Sequence, residues 1–421
     1  MKSLGLTRHV MIASLLLLFV AARSASAAVY YASPTGSASW PNCTVSSSPC
    51  SAATALANAI AGDTVNFLVG TYVVPDTANY EYPNLNPTNS GTSGNPITFQ
   101  ANPGDKVIFT GNNPTSHAQG LIGSNGRNYI TWRGIILDTS SYGDVSGNAI
   151  TFNNCTGVIF EGLTLIGHSY SNNTVHWSGA YSGVASNNVT FRNCTIYGWH
   201  NPKEGAGIGV FRATGLLIEN NEIYNCDRGI SGLEAATNHI WRYNLIHDIT
   251  SLGIYGPGNK SNNTVDIYQN IFYNIGTNVM DIQNDWPGSF FHNNTIYTAG
   301  TGLNYWSTVT AATALTVYNN IFHTVPTTAI YKGVGLLYAD YNDYYSGGVK
   351  ITGFDANSIT FDPLFVNVAM HDYHLQSSSP ARTSGRGGIY PSAMGAYITG
   401  SEIIGTSGTP IVAPPGPPHM R

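Results

Sequence analysis

Charge is what this sequence has least of. Lys, Arg, Asp and Glu together make up 9% of it, far below the roughly 25% usual for soluble domains. The formal net charge of −5 leaves no broad basic field, so nucleic acid is not an expected partner. A polyanion would need a local basic patch or a bridging cation. Low charge does not imply disorder here, because aromatic residues at 11% and abundant β-branched residues supply ample surface to bury. Cysteine is also scarce, with five in the chain. Cys155, Cys194 and Cys226 match no zinc spacing and read as small buried residues. Cys43 and Cys50 flank a short Ser/Pro loop and are expected to pair as a disulfide in an oxidising compartment.

Long apolar runs are missing beyond the first residues. Lys2 and Arg8, the apolar run Met11–Ala22 and the small residues Ala25, Ser26 and Ala27 read as a cleaved export signal over residues 1–27. Arg23 interrupts the run and argues against a membrane anchor. The mature chain is therefore expected outside the cytoplasm, secreted or at the cell surface, without a membrane segment, and as a monomer. Helix signals are nearly absent; Ala52–Ile60 alone reads as a short amphipathic helix, placed to cap an open sheet end. From residue 401 onward, Thr409-Pro410 and the proline cluster of residues 414–418 read as a disordered tail.

What is present is a repeat. A strand, turn and strand recur with an apolar residue at Phe160, Phe191, Ile218, Trp241, Ile267, Phe291, Val317 and Ala339, spaced by 31, 27, 23, 26, 24, 26 and 22 residues. Three residues further on, Asn221, Asn244, Asn270, Asn294, Asn320 and Asn342 fall in one column. Coils about 4.8 Å apart would stack these side chains, apolar ones inward and amides into a hydrogen-bonded ladder. Asparagine also tolerates turn backbone. Gly-aliphatic pairs (Gly207-Ile208, Gly229-Ile230, Gly253-Ile254, Gly302-Leu303) open a further strand per coil, with Val279-Met280 and Ala329-Ile330 at the same phase. The period and the pairing together specify an all-β, right-handed parallel β-helix over residues 28–400.

Three stretches then carry a resemblance: Tyr30–Gly36 with Ala61–Val65 and Gly70–Tyr72; Gly94–Phe99 with Pro103–Lys106; and Asp362–Phe365 with Tyr373–Gln376 and Ser379-Pro380. In these the chain resembles the secreted bacterial members of the right-handed parallel β-helix, pectate-lyase-like superfamily. The resemblance implies an extracellular polysaccharide as partner, but the superfamily holds lyases, hydrolases, epimerases and non-catalytic adhesins. The chain lacks the Asn-Thr-Asp and Asp-Asp pattern of polygalacturonase-like hydrolases and the Trp-x-Asp-His of common pectate lyases.

A β-helix has no interior cavity, so a site belongs on an outer face among the turn loops. Two long loops, His168–Ser182 and Gly198–Ala206, together with Asp227 and Arg228 of the next coil, hold the densest concentration of ionisable side chains. Lys203 and Arg228 sit just ahead of successive Gly-Ile pairs. For β-elimination on a uronate, Arg228 would clamp the carboxylate, Lys203 remove the adjacent proton and His200 protonate the leaving oxygen. Glu204 and Asp227 are candidate Ca²⁺ ligands; the resemblance implies that calcium can take part, although the dense aspartate cluster of the calcium-dependent lyases is missing. His176, Trp177 and Trp199 are expected to contact sugar rings. One residue past each Gly-aliphatic pair, Gly209, Ser231, Tyr255, Asp281, Asn304 and Tyr331 should point outward on one strip. Tyr255, Asp281 and Trp306, with Trp286 and Tyr305, would make a second sugar-binding surface, and Asp281 with Asp285 a possible hydrolase pair. Lyase, hydrolase and non-catalytic carbohydrate binder all remain open on the sequence.

Overall fold

Stacking of equivalent residues is borne out strand by strand. The structure is a computed structural model that describes residues 27–75, 83–111, 120–142, 147–169, 178–182, 185–201, 205–210, 212–232, 237–256, 264–283, 286–306, 315–333, 337–347, 355–387 and 392–406. The expected export signal, apart from residue 27, lies outside these residues, as do residues 407–421 of the expected tail. Among the described residues one sheet holds twelve strands, from Val29–Ala32 to Leu337–Asp340, each paired in parallel with the next coil. Phe160, Phe191, Ile218, Trp241, Ile267, Phe291, Val317 and Ala339 are Cα partners in the register read from sequence. They point inward, and the Phe160 and Phe191 rings stack at 4.8 Å. Each fully buried ring of this kind stabilises the fold by about 1.5–3 kcal/mol.

Beyond the turn, a second and a third strand follow in the coils from Ile97–Ala101 to Leu315–Tyr318. They are separate early on, as Thr195–Tyr197 and Ala206–Val210. Where the loops shorten they fuse into Glu222–Ser231, Leu245–Gly256, Ile271–Ile282 and Thr295–Tyr305. Register shifts at Cys226/Arg228 and Ile275/Asn278 let the fused strands turn the corner. The Gly-aliphatic pairs fall in the third strand, with Ile208, Ile230, Ile254, Met280, Leu303 and Ile330 in one register. Glycine is needed there for close approach: a Cβ on Gly253 would sit 2.6 Å from the Val279 carbonyl oxygen, and one on Gly302 2.1 Å from that of Ala329.

The asparagine ladder forms with one correction. Each amide Nδ2 donates to the Oδ1 of the next coil, at 3.0 Å from Asn221 to Asn244 and 2.9 Å from Asn244 to Asn270, and so on to Asn342. The left-handed turn residue, however, is the one before it: Asn220, Tyr243, Gln269, Asn293, Asn319 and Tyr341 all have φ between 51° and 57°. The ladder residue is therefore selected for its amide, not for its backbone.

Helix Ala52–Asn58 covers the first strand end as expected, its N-terminus capped by Ser51. Cys43 and Cys50 do not form the expected disulfide. Both are buried free thiols; Cys50 donates to the Tyr31 carbonyl, and burial together with the neighbouring Cys43 pushes it up to about 12. At the other end, residues 355–406 fold back over the second strands. Phe365, Tyr373, Leu375, Met394 and Ala396 form a small core there with Ile271, Tyr273 and Ile321. Residues 401–406, expected to belong to the tail, remain attached: Ile403 accepts from Asn220 and Gly405 donates to Tyr243.

Candidate functional site

The strip has the register read from the sequence, but Gly209 and Ser231 at its start are buried rather than outward. Ser231, Tyr255, Asp281, Asn304 and Tyr331 are successive register partners on the third strands. Its charged end is built by Arg228, whose guanidinium carbon lies 4.2 Å from the centre of the Tyr255 ring. The bulge beside Arg228 displaces it from strict alternation, and its backbone N–H donates to Gly205 at 2.8 Å. Asp281 accepts from Asn278 at 3.2 Å and Asn304 at 3.5 Å, both on Oδ2. Burial pushes its carboxyl above the usual range, against the opposing pull of those amides and of the Arg228 charge. At the far end Trp306 is 48% exposed and Tyr331 41%, with ring centres 4.8 Å apart.

Beside Arg228 lies a second cluster, at the corner between second and third strands. His200 Nδ1 bonds Asp227 Oδ1 at 3.2 Å, Thr250 donates to the same oxygen at 2.6 Å, and the Asn201 backbone N–H donates to Oδ2. The hydrogen bond to Asp227 holds the His200 imidazole above its ordinary value, although burial acts the other way. Burial would raise Asp227, but its three donors override that and hold it low. Asp227 thus accepts three protein donors, and Glu204, the other expected Ca²⁺ ligand, lies outside the described residues. Among the described residues no group of three His, Cys, Asp or Glu converges on a point.

Three aromatic expectations are corrected. Trp199, Trp286 and Tyr305 are buried at 0%, 0% and 2% exposure, so none can meet a sugar. Trp199 packs inward beneath His168, edge to face at 5.8 Å, because the corner between strands needs a large apolar residue to close it. Lys203, Glu204, His176, Trp177 and Asp285 lie outside the described residues. The structure therefore brings together Arg228, Tyr255 and Asp281, and separately His200 with Asp227, joined through the Asp227–Arg228 peptide. Sequence reasoning missed Thr250 and Asn278, whose only signal was their phase in the repeat.

A family described as right handed beta helix region matches residues 133–322. Pectate lyase Pel9A superposes with a TM-score of 0.60 at 16% identity, over 88% of this chain and 96% of that one. A GH136 lacto-N-biosidase from Eubacterium ramulus does so with a TM-score of 0.52 at 12% identity, over 80% of this chain and 67% of that one. Among curated protein sequences none matches. At such identities the likeness speaks to the fold, and the fold is the right-handed parallel β-helix that the repeat implied. Among the described residues no helix is long and apolar enough to cross a membrane.

Proposed function

We propose that this β-helix is a secreted enzyme that lays an acidic, uronate-containing polysaccharide along the strip from Arg228 to Trp306 and cleaves it by β-elimination. The observation that carries this reading is Arg228, seated on the Tyr255 ring with its charge reaching Asp281, in a chain otherwise poor in charge. A carboxylate bound there is neutralised, and the adjacent C–H becomes acidic enough to lose its proton. Lys203, shortly before the Gly205 carbonyl that anchors Arg228, is the proposed base. His200, raised by Asp227, is suited to protonate the leaving oxygen. Trp306 and Tyr331 offer the apolar faces on which pyranose rings rest.

A second reading, glycoside hydrolysis, draws on the raised Asp281 carboxyl, which is suited to act as a general acid. Incubation with pectate, alginate and glycosaminoglycans, with and without calcium, separates the two. New absorbance from unsaturated uronates supports elimination, whereas reducing ends without it support hydrolysis. Retention of the glycan with neither product would leave a carbohydrate-binding protein and sink both enzymatic readings.

A further inference from the structure

A cavity lies on a different face of the solenoid from the strip. It measures about 390 Å³, within the range of small-ligand sites, and opens on the outer surface of the twelve-stranded sheet near its C-terminal end. Two adjacent coils supply Tyr318, Tyr338 and Asp340; the returning C-terminal segment supplies Asn357 and Arg386. Tyr338 is 55% exposed. The polar groups are held in place before any ligand arrives. Asn357 donates its backbone N–H and its amide to the two oxygens of Asp340, each at 2.8 Å, and the Tyr341 N–H adds a third bond at 2.9 Å. That leaves carboxylate lone pairs for further donors. Arg386 is anchored through its backbone, which donates to Asn319 Oδ1 at 2.6 Å. Its guanidinium carbon lies 5.5 Å from the centre of the Tyr318 ring, and it makes no ion pair among the described residues.

From this geometry we infer that the cavity is a second carbohydrate site, taking one carboxylate-bearing pyranose of an acidic polysaccharide. Tyr338 offers a face to the ring, Asp340 and Asn357 accept and donate to its hydroxyls, and Arg386 binds the carboxylate as a fork. The cavity sits on the first strands whereas the strip sits on the third, so one polymer could be held at both places. The inference does not depend on the cleavage chemistry proposed above.

The test is titration calorimetry of the full chain with trigalacturonate, trimannuronate and cellotriose. Two acidic-ligand sites are expected in the wild type. Arg228→Ala should leave one of them, while Tyr338→Ala and Arg386→Ala each weaken the other at least fivefold. Both positions are exposed, and unchanged melting curves would show that the variants fold. Oligouronate binding that is unaffected by Tyr338→Ala and Arg386→Ala, or absent altogether, would overturn the proposal. Equal binding of cellotriose that ignores Arg386 would overturn its assignment to acidic sugars.

Discussion

Arg228 and Asp343 make opposite uses of burial. Arg228 rests on an aromatic face with its charge reaching the Asp281 carboxyl. Replacing it with alanine should cost about 10²–10³-fold in product formation, the scale of one lost electrostatic contact to a developing charge. The melting temperature should barely move, and Arg228→Lys should recover only part of the rate because the planar fork is gone. Initial rates on the cleaved polymer read this directly. Asp343 is wholly enclosed between the second strands and the returning segment, and burial pushes its carboxyl up to about 7. The folded state then keeps a proton that the unfolded chain releases near pH 4. Stability from this residue is therefore present at low pH and lost as pH rises toward 7, by up to roughly 4 kcal/mol. Denaturant melts from pH 4 to 8 should show that slope in the wild type. Asp343→Asn should flatten it and be the more stable protein at pH 8; parallel curves for the two would refute the assignment.

At the scale of the element, the asparagine column matters more than any single inward ring. Asn270 accepts from the backbone N–H and the amide of Asn244, and donates to Trp241, Tyr268 and Asn294. Alanine there strands several buried groups at once, each costing about 1–3 kcal/mol. Asn270→Ala should therefore lower the unfolding free energy by about 3 kcal/mol or more, read as a clear drop in the chemical unfolding midpoint. Gln269→Gly, at the left-handed position one residue earlier, should be tolerated much better. This column was legible in the sequence because stacking repeats a residue type at a fixed phase. The left-handed position was not, since Asn, Gln and Tyr share it and its cause is the backbone.

The whole molecule is a linear stack held along one edge by its own C-terminus. Residues 386–405 bond the turn residues Asn319, Asn293, Gln269, Tyr243 and Asn220 in five successive coils. In a solenoid each coil contacts only its neighbours, so losses stay local. Deleting residues 392–421 should raise hydrogen exchange in the coils from Asn220 to Asn319 and leave those before Asn193 unchanged. Uniform deprotection along the axis would show instead that the strap is needed for the entire stack.

The sequence by itself determined the β-helix, the inward columns, the amide ladder and the strip from Tyr255 to Tyr331. All of these follow from one physical rule, that equivalent residues in successive coils lie directly over one another. Trp199 and Trp286 were misread because a large aromatic in an irregular loop looks the same in sequence whether it faces solvent or closes a corner, and Tyr305 because it ends a strand on the inward side of Asn304. Only the tertiary structure decided that, and only it placed Arg228 over Tyr255, filled Asp227 with protein donors, and carried Asn357 and Arg386 back across the sheet. Those contacts join residues with no common period, through bulges and a returning chain whose path depends on packing rather than on the repeat.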